Sequence, residues 1–101
     1  MSVVLDRQHV FEKVRDILVE VLSVGPDQVS GAARVIPDLG AESIDLLDLR
    51  FRVERAFGFS ITNENLIAAF GTEITPAEFR ERFTVDALCD YVRHRLGEGV
   101  G

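Results

Sequence analysis

A serine at the head of a helical pattern, held among acids, is the chemistry-bearing feature of this chain. In Asp38-Leu39-Gly40-Ala41-Glu42-Ser43-Ile44-Asp45-Leu46-Leu47, a glycine turn delivers Ser43 to the start of a predicted helix. Unpaired backbone N–H groups and the positive end of the helix dipole suit a phosphate at that position. Asp38, Glu42, Asp45 and Asp48 flank the serine, and no basic residue lies between Arg34 and Arg50. Such a serine can carry a phosphodiester, and its acidic surroundings can be docked by a basic enzyme.

Other uses of the same residues are weaker. Serine is a favoured helix cap, and spacing alone would allow that role for Ser43. A hydrolase nucleophile needs glycine two residues after the serine, where Asp45 stands. His9 and His94 are far apart in sequence and suggest no relay. Asp45 and Asp48 share a helix face at i, i+3, but two carboxylates are too few for a dedicated metal site. They suit a solvated or docking face, partly neutralised by Arg52 and Arg55.

The elements that position Ser43 read as helices. Asp6–Leu22 carries an apolar stripe of Phe11, Val14, Leu18, Val21 and Leu22, stopped by Gly25-Pro26. Residues 23–42 form a long loop, with Val29, Val35, Ile36 and Leu39 as anchors to the core. Ser43–Phe57 is the second helix, closed by Gly58. Leu46, Leu49, Val53, Ala56 and Phe57 line one face of it, and Ile44, Leu47 and Phe51 line nearly the opposite one. A small bundle easily buries one stripe. The second joins the core, closes an interior pocket or meets another protein.

Thr62 caps a short predicted helix with Leu66, Ile67 and Phe70, ended by Gly71. Thr75-Pro76-Ala77-Glu78 starts another: a threonine cap, proline at the first helical position and a capping-box glutamate. Thr84 caps the last helix, whose stripe is Val85, Leu88, Cys89, Val92 and Leu96. The expected fold is all-α: one up-and-down bundle of three long helices plus short connector helices, spanning 1–101, with about 1–5 and 97–101 frayed.

The Asp-Leu-Gly-Ala-Glu-Ser-Ile run resembles the attachment site of acyl carrier proteins, usually Asp-x-Gly-x-Asp-Ser-Leu. Glu42 replaces the usual aspartate and keeps its charge. Length, helix order and the final helix agree, so the likeness covers about residues 8–96. The resemblance implies that Ser43 accepts 4′-phosphopantetheine and that the protein, itself no enzyme, carries an acyl thioester on that arm. It implies a phosphopantetheinyl transferase as partner, and ketosynthase, reductase or acyltransferase enzymes docking around Glu42, Ile44, Asp45, Leu47, Asp48, Phe51 and Glu54. The stretch from Ile61 to Phe83 exceeds the usual connector and resembles that of specialised carriers, such as those serving very-long-chain acyl groups of lipid A. An acyl pocket there would use Leu46, Leu66, Phe70, Phe79 and Phe83. An aminoacyl or peptidyl carrier, or an unmodified helical interaction module, are the alternatives.

Composition narrows the classes. A net charge of −6 argues against nucleic acid as a partner. No apolar run reaches membrane-spanning length and no signal peptide is visible, so no membrane insertion is expected. The lone Cys89 excludes an internal disulfide and suits a reducing compartment, here the cytoplasm; its place on an apolar stripe predicts a buried thiol. A monomer is expected.

Overall fold

The structure is a computed structural model and describes residues 7–71 and 73–100. The helices among them are α1 (Arg7–Leu22), α2 (Ser43–Phe57), α3 (Asn63–Phe70), α4 (Pro76–Arg82) and α5 (Val85–Val100). One 3-10 turn, Pro26–Gln28, interrupts the loop between α1 and α2. The three long helices build the all-α bundle, with α1 packed against both α2 and α5. The proposed helix start at Asp6 and the frayed residues 1–5 and Gly101 lie outside the described residues. At the other end α5 continues to Val100, past Gly97. A glycine there weakens a helix by about 1 kcal/mol relative to alanine without forbidding it.

Local caps set the helix ends. The N–H of Asn65 donates to the Thr62 hydroxyl oxygen at 3.1 Å, and that of Glu78 to Thr75 at 3.1 Å. Ala87 N–H donates to Thr84 in the same way. Gly58 closes α2 with φ of 77°, a left-handed conformation that costs glycine little. α1 ends at Leu22, as the sequence pattern predicts; Ser23 there turns left-handed (φ 56°) and its N–H donates to the Val19 carbonyl.

The core differs from the sequence pattern in α1 and, at one residue, in α2. The fully covered residues of α1 are Val10, Val14, Ile17 and Leu18, while Phe11, Val21 and Leu22 are half-buried at its edge. The helix is sandwiched between α2 and α5, so its buried arc is rotated towards Val10 and Ile17. On α2, Leu49 and Val53 are buried, whereas Ala56 on the same predicted face is exposed. Val85, Leu88, Cys89 and Val92 of α5 complete the core.

The long loop is stitched down. Val29, Val35 and Leu39 are buried and Ile36 is half-buried, as anchors must be. Val35 N–H donates to the Phe83 carbonyl at 2.9 Å, and Val85 N–H to that of Ala33 at 2.9 Å, around an isolated antiparallel bridge between Arg34 and Thr84. Arg34 adds a clamp: its guanidinium meets Asp38 at 3.0 Å and Glu81 of α4 at 2.6 Å. Its backbone N–H also donates to Asp38 at 2.8 Å. These bonds hold the Asp38 carboxyl below the usual carboxylate range, the Arg34 side chain contributing most. A depressed carboxyl stabilises the fold above its unfolded pKa, near 4, and stops doing so as pH falls through its lower folded value. Asp38→Asn should therefore lower the urea midpoint at pH 7, and the gap to the parent should close as acid is added below about pH 4.

Candidate functional site

Ser43 opens α2. Glu42 occupies the cap position before it, with extended backbone, so the serine is the first helical residue rather than the cap. Asp45 reaches back to accept the Glu42 N–H at 2.9 Å. The first bond of the helical ladder runs from Leu46 N–H to the Glu42 carbonyl at 3.0 Å, so the N–H groups of Ser43, Ile44 and Asp45 precede it. Ser43 is exposed, and its hydroxyl has no hydrogen-bond partner among the described residues. Gly40, with φ of 79°, makes the turn that feeds the chain into this position.

A cavity of about 250 Å³ lies beside the serine. Ser43, Leu46, Leu47, Leu49, Arg50 and Val53 of α2 form one wall. Leu66 and Phe70 of α3, Phe79 of α4 and Phe83 face it, with Ile61, Leu88 and Tyr91 beyond. Phe79 stacks on Phe83 at 5.0 Å between centroids, and Phe70 meets both edge-on at 5.2 and 6.0 Å. All five residues named from sequence for a pocket therefore line one cavity. The wall is softer than a core: Phe83 is buried, while Leu66, Phe70 and Phe79 are half-buried. Elsewhere in the 61–83 extension Ile74 is half-buried and Ile67 is 46% exposed, and neither lines the cavity.

The second stripe of α2 stays on the surface. Ile44 is 72% exposed, Leu47 53% and Phe51 56%. Of these, Leu47 also borders the cavity. The acids around them have partners of differing kinds. Asp48 pairs with Arg52 at 3.1 Å, and Arg52 also reaches Glu20 of α1 at 3.1 Å. Glu54 accepts the Ile61 N–H at 2.6 Å and so secures the connector after α2. Glu42 is exposed and its side chain makes no cap bond. No group of three or more potential metal ligands occurs among the described residues.

Sequence reasoning treated Arg50 only as a flanking charge and left Tyr91 out. The available signal was spacing: Arg50 lies seven residues, about two turns, after Ser43, which returns it to the same side of the helix.

An exposed, unpartnered hydroxyl on the first residue of a 15-residue helix fits a phosphodiester, whose charge the leading N–H groups and dipole accommodate. The neighbouring apolar cavity fits a hydrocarbon chain. Fold and site together are those of a small helical bundle with an exposed helix-start serine beside an apolar cavity. A family profile described as the phosphopantetheine attachment site matches residues 12–69. An acyl carrier protein of Thermotoga maritima is 33% identical over 91 residues, covering 90% of this chain and 96% of that one. One from Campylobacter hominis is 50% identical over 53 residues, 52% of this chain and 67% of its own. The acyl carrier protein AcpXL of Brucella melitensis is 34% identical over 79 residues, 78% of this chain and 83% of its own. The chain belongs to the phosphopantetheine-binding acyl carrier protein family; its cofactor is 4′-phosphopantetheine and it is a carrier, not an enzyme. Carriers of this family work with a phosphopantetheinyl transferase and with acyl-chain biosynthetic enzymes.

Proposed function

We propose that the protein holds its 4′-phosphopantetheine on Ser43 and carries a long or bulky acyl chain in a specialised branch of fatty-acid, lipid or polyketide biosynthesis in the cytoplasm. The observation that carries this reading is the free Ser43 hydroxyl at the mouth of a cavity that the α3–α4 extension helps to wall. When bound, the cofactor supplies the thiol on which the acyl group is held as a thioester. The protein's own residues do the rest. The start of α2 offers N–H donors to the phosphodiester, and Asp45, by accepting the Glu42 N–H, keeps that turn in place. Leu46, Leu66, Phe70, Phe79 and Phe83 offer the chain an apolar wall away from water. Ile44 and Phe51, with Glu42 and Asp48 beside them, offer a surface to the transferase and to the biosynthetic enzymes.

The protein's one thiol makes the test simple. Cys89 is 4% exposed, and burial pushes its thiol up to about 11, with the charge of Asp86 adding to the effect. A thiol reagent at pH 7.5 should leave the folded unmodified protein almost untouched, since the thiolate is the reactive form. After incubation with coenzyme A and a phosphopantetheinyl transferase, intact mass should rise by one arm and one fast-reacting thiol should appear. An unchanged mass and thiol count across several transferases would end the reading. Acyl chains of increasing length should then move the amide resonances of Leu66, Phe70, Phe79 and Phe83 progressively. Unmoved resonances would reduce the extension to a structural role.

A further inference from the structure

Among the described residues the cavity wall contains one charged side chain. Arg50 lies on the Ser43 side of α2 and is half-buried among otherwise apolar neighbours and Tyr91. No carboxylate among the described residues lines the cavity with it. Among the described residues Arg50 has neither an ion pair nor a hydrogen bond, whereas Arg52, two positions on, is held by Asp48 and Glu20. Tyr91 adds a second polar group: its hydroxyl oxygen accepts from Arg95 at 2.7 Å, which leaves its O–H free to donate. Water reaches the Arg50 guanidinium now, since its nitrogens are not among the buried unpaired polar atoms of the described residues; a saturated chain that displaced that water would offer these donors nothing in return. A chain bearing an oxygen acceptor would satisfy the guanidinium with a charge-assisted hydrogen bond.

We propose that Arg50 is a specificity-determining residue, and that its guanidinium binds a hydroxyl or oxo group of the acyl chain housed in the cavity. The carrier thereby favours oxygenated chains over saturated ones. This rests on the reading of Ser43 as the attachment point.

The test loads the full chain at Ser43 with an acyl chain of one length, either saturated or bearing a single hydroxyl near the thioester or near its far end. The loaded but unacylated protein is the reference for contacts with the arm itself. The Arg50 Nε–H resonance should shift with a hydroxylated chain and not with the saturated one. Thioester hydrolysis should be severalfold slower for the better hydroxylated chain in the parent than in Arg50→Met, with no such difference for the saturated chain. An Nε–H shift already complete in the unacylated form would assign Arg50 to the arm and overturn the proposal. So would an unmoved Arg50 beside shifted Leu66 and Phe70 amides, which is the behaviour of a stem that covers apolar surface with its head in water. A parent that gains no mass overturns the Ser43 reading itself, and is told apart from both results before any chain is compared.

Discussion

Ser43→Ala is expected to take up no 4′-phosphopantetheine from any transferase that loads the parent, a complete loss. The fold should hardly notice. A serine serving as helix cap would forfeit about 1 kcal/mol on replacement. Here Glu42 holds the cap position and Asp45 satisfies its N–H, while the Ser43 hydroxyl bonds to nothing described. Alanine is a better helix former than serine, so the change in stability should stay within about 0.5 kcal/mol of the parent. Intact mass gives the first quantity and urea unfolding the second. Loading of the alanine variant would move the attachment elsewhere, and a large loss of stability would mean that the hydroxyl has a structural partner.

Ile44→Glu and Phe51→Glu are each expected to lower kcat/KM for loading by about tenfold or more, with helical content unchanged. Their exposures of 72% and 56% mean that neither supports the core. Exposed apolar side chains on a helix beside the proposed attachment residue are what a partner can desolvate, and one that acts as a hot spot contributes about 2 kcal/mol or more to binding, where about 1.4 kcal/mol is tenfold. Leu47→Glu would be a poorer probe, since Leu47 also borders the cavity. Charge should matter less than the acid-rich sequence suggests. Asp48 is already engaged by Arg52, and Glu54 by the Ile61 N–H. Added salt should therefore slow loading modestly, and the apolar variants strongly. The reverse order, with salt dominant and both variants loading at the parent rate, would place docking on the acids.

Whatever depends on residues three or four apart was legible before any coordinates. Thr62, Thr75-Pro76-Glu78, Thr84 and Gly58 place four helix boundaries by bonds that close within one turn. The run around Ser43 could be read as a candidate attachment site because the residues that suit one are consecutive. The two stripes of α2 were readable from period alone.

Which stripe meets water was not, because that depends on what packs beside the helix. The same holds for α1, where the bundle rotated the buried arc towards Val10 and Ile17. Five lining residues of the cavity could be named beforehand, but its enclosure could not: it is space left between α2, α3, α4 and α5, and no residue encodes it alone. Acids that look alike in the chain were sorted by distant partners. Arg34, which pairs with Asp38, reaches Glu81 across 47 positions, and Arg52, which pairs with Asp48, reaches Glu20 across 32. Periodicity and capping are set within a turn of backbone and so belong to the sequence. Exposure, enclosure and the pairing of charges are set by the approach of helices far apart in the chain, and only the packed bundle decides them.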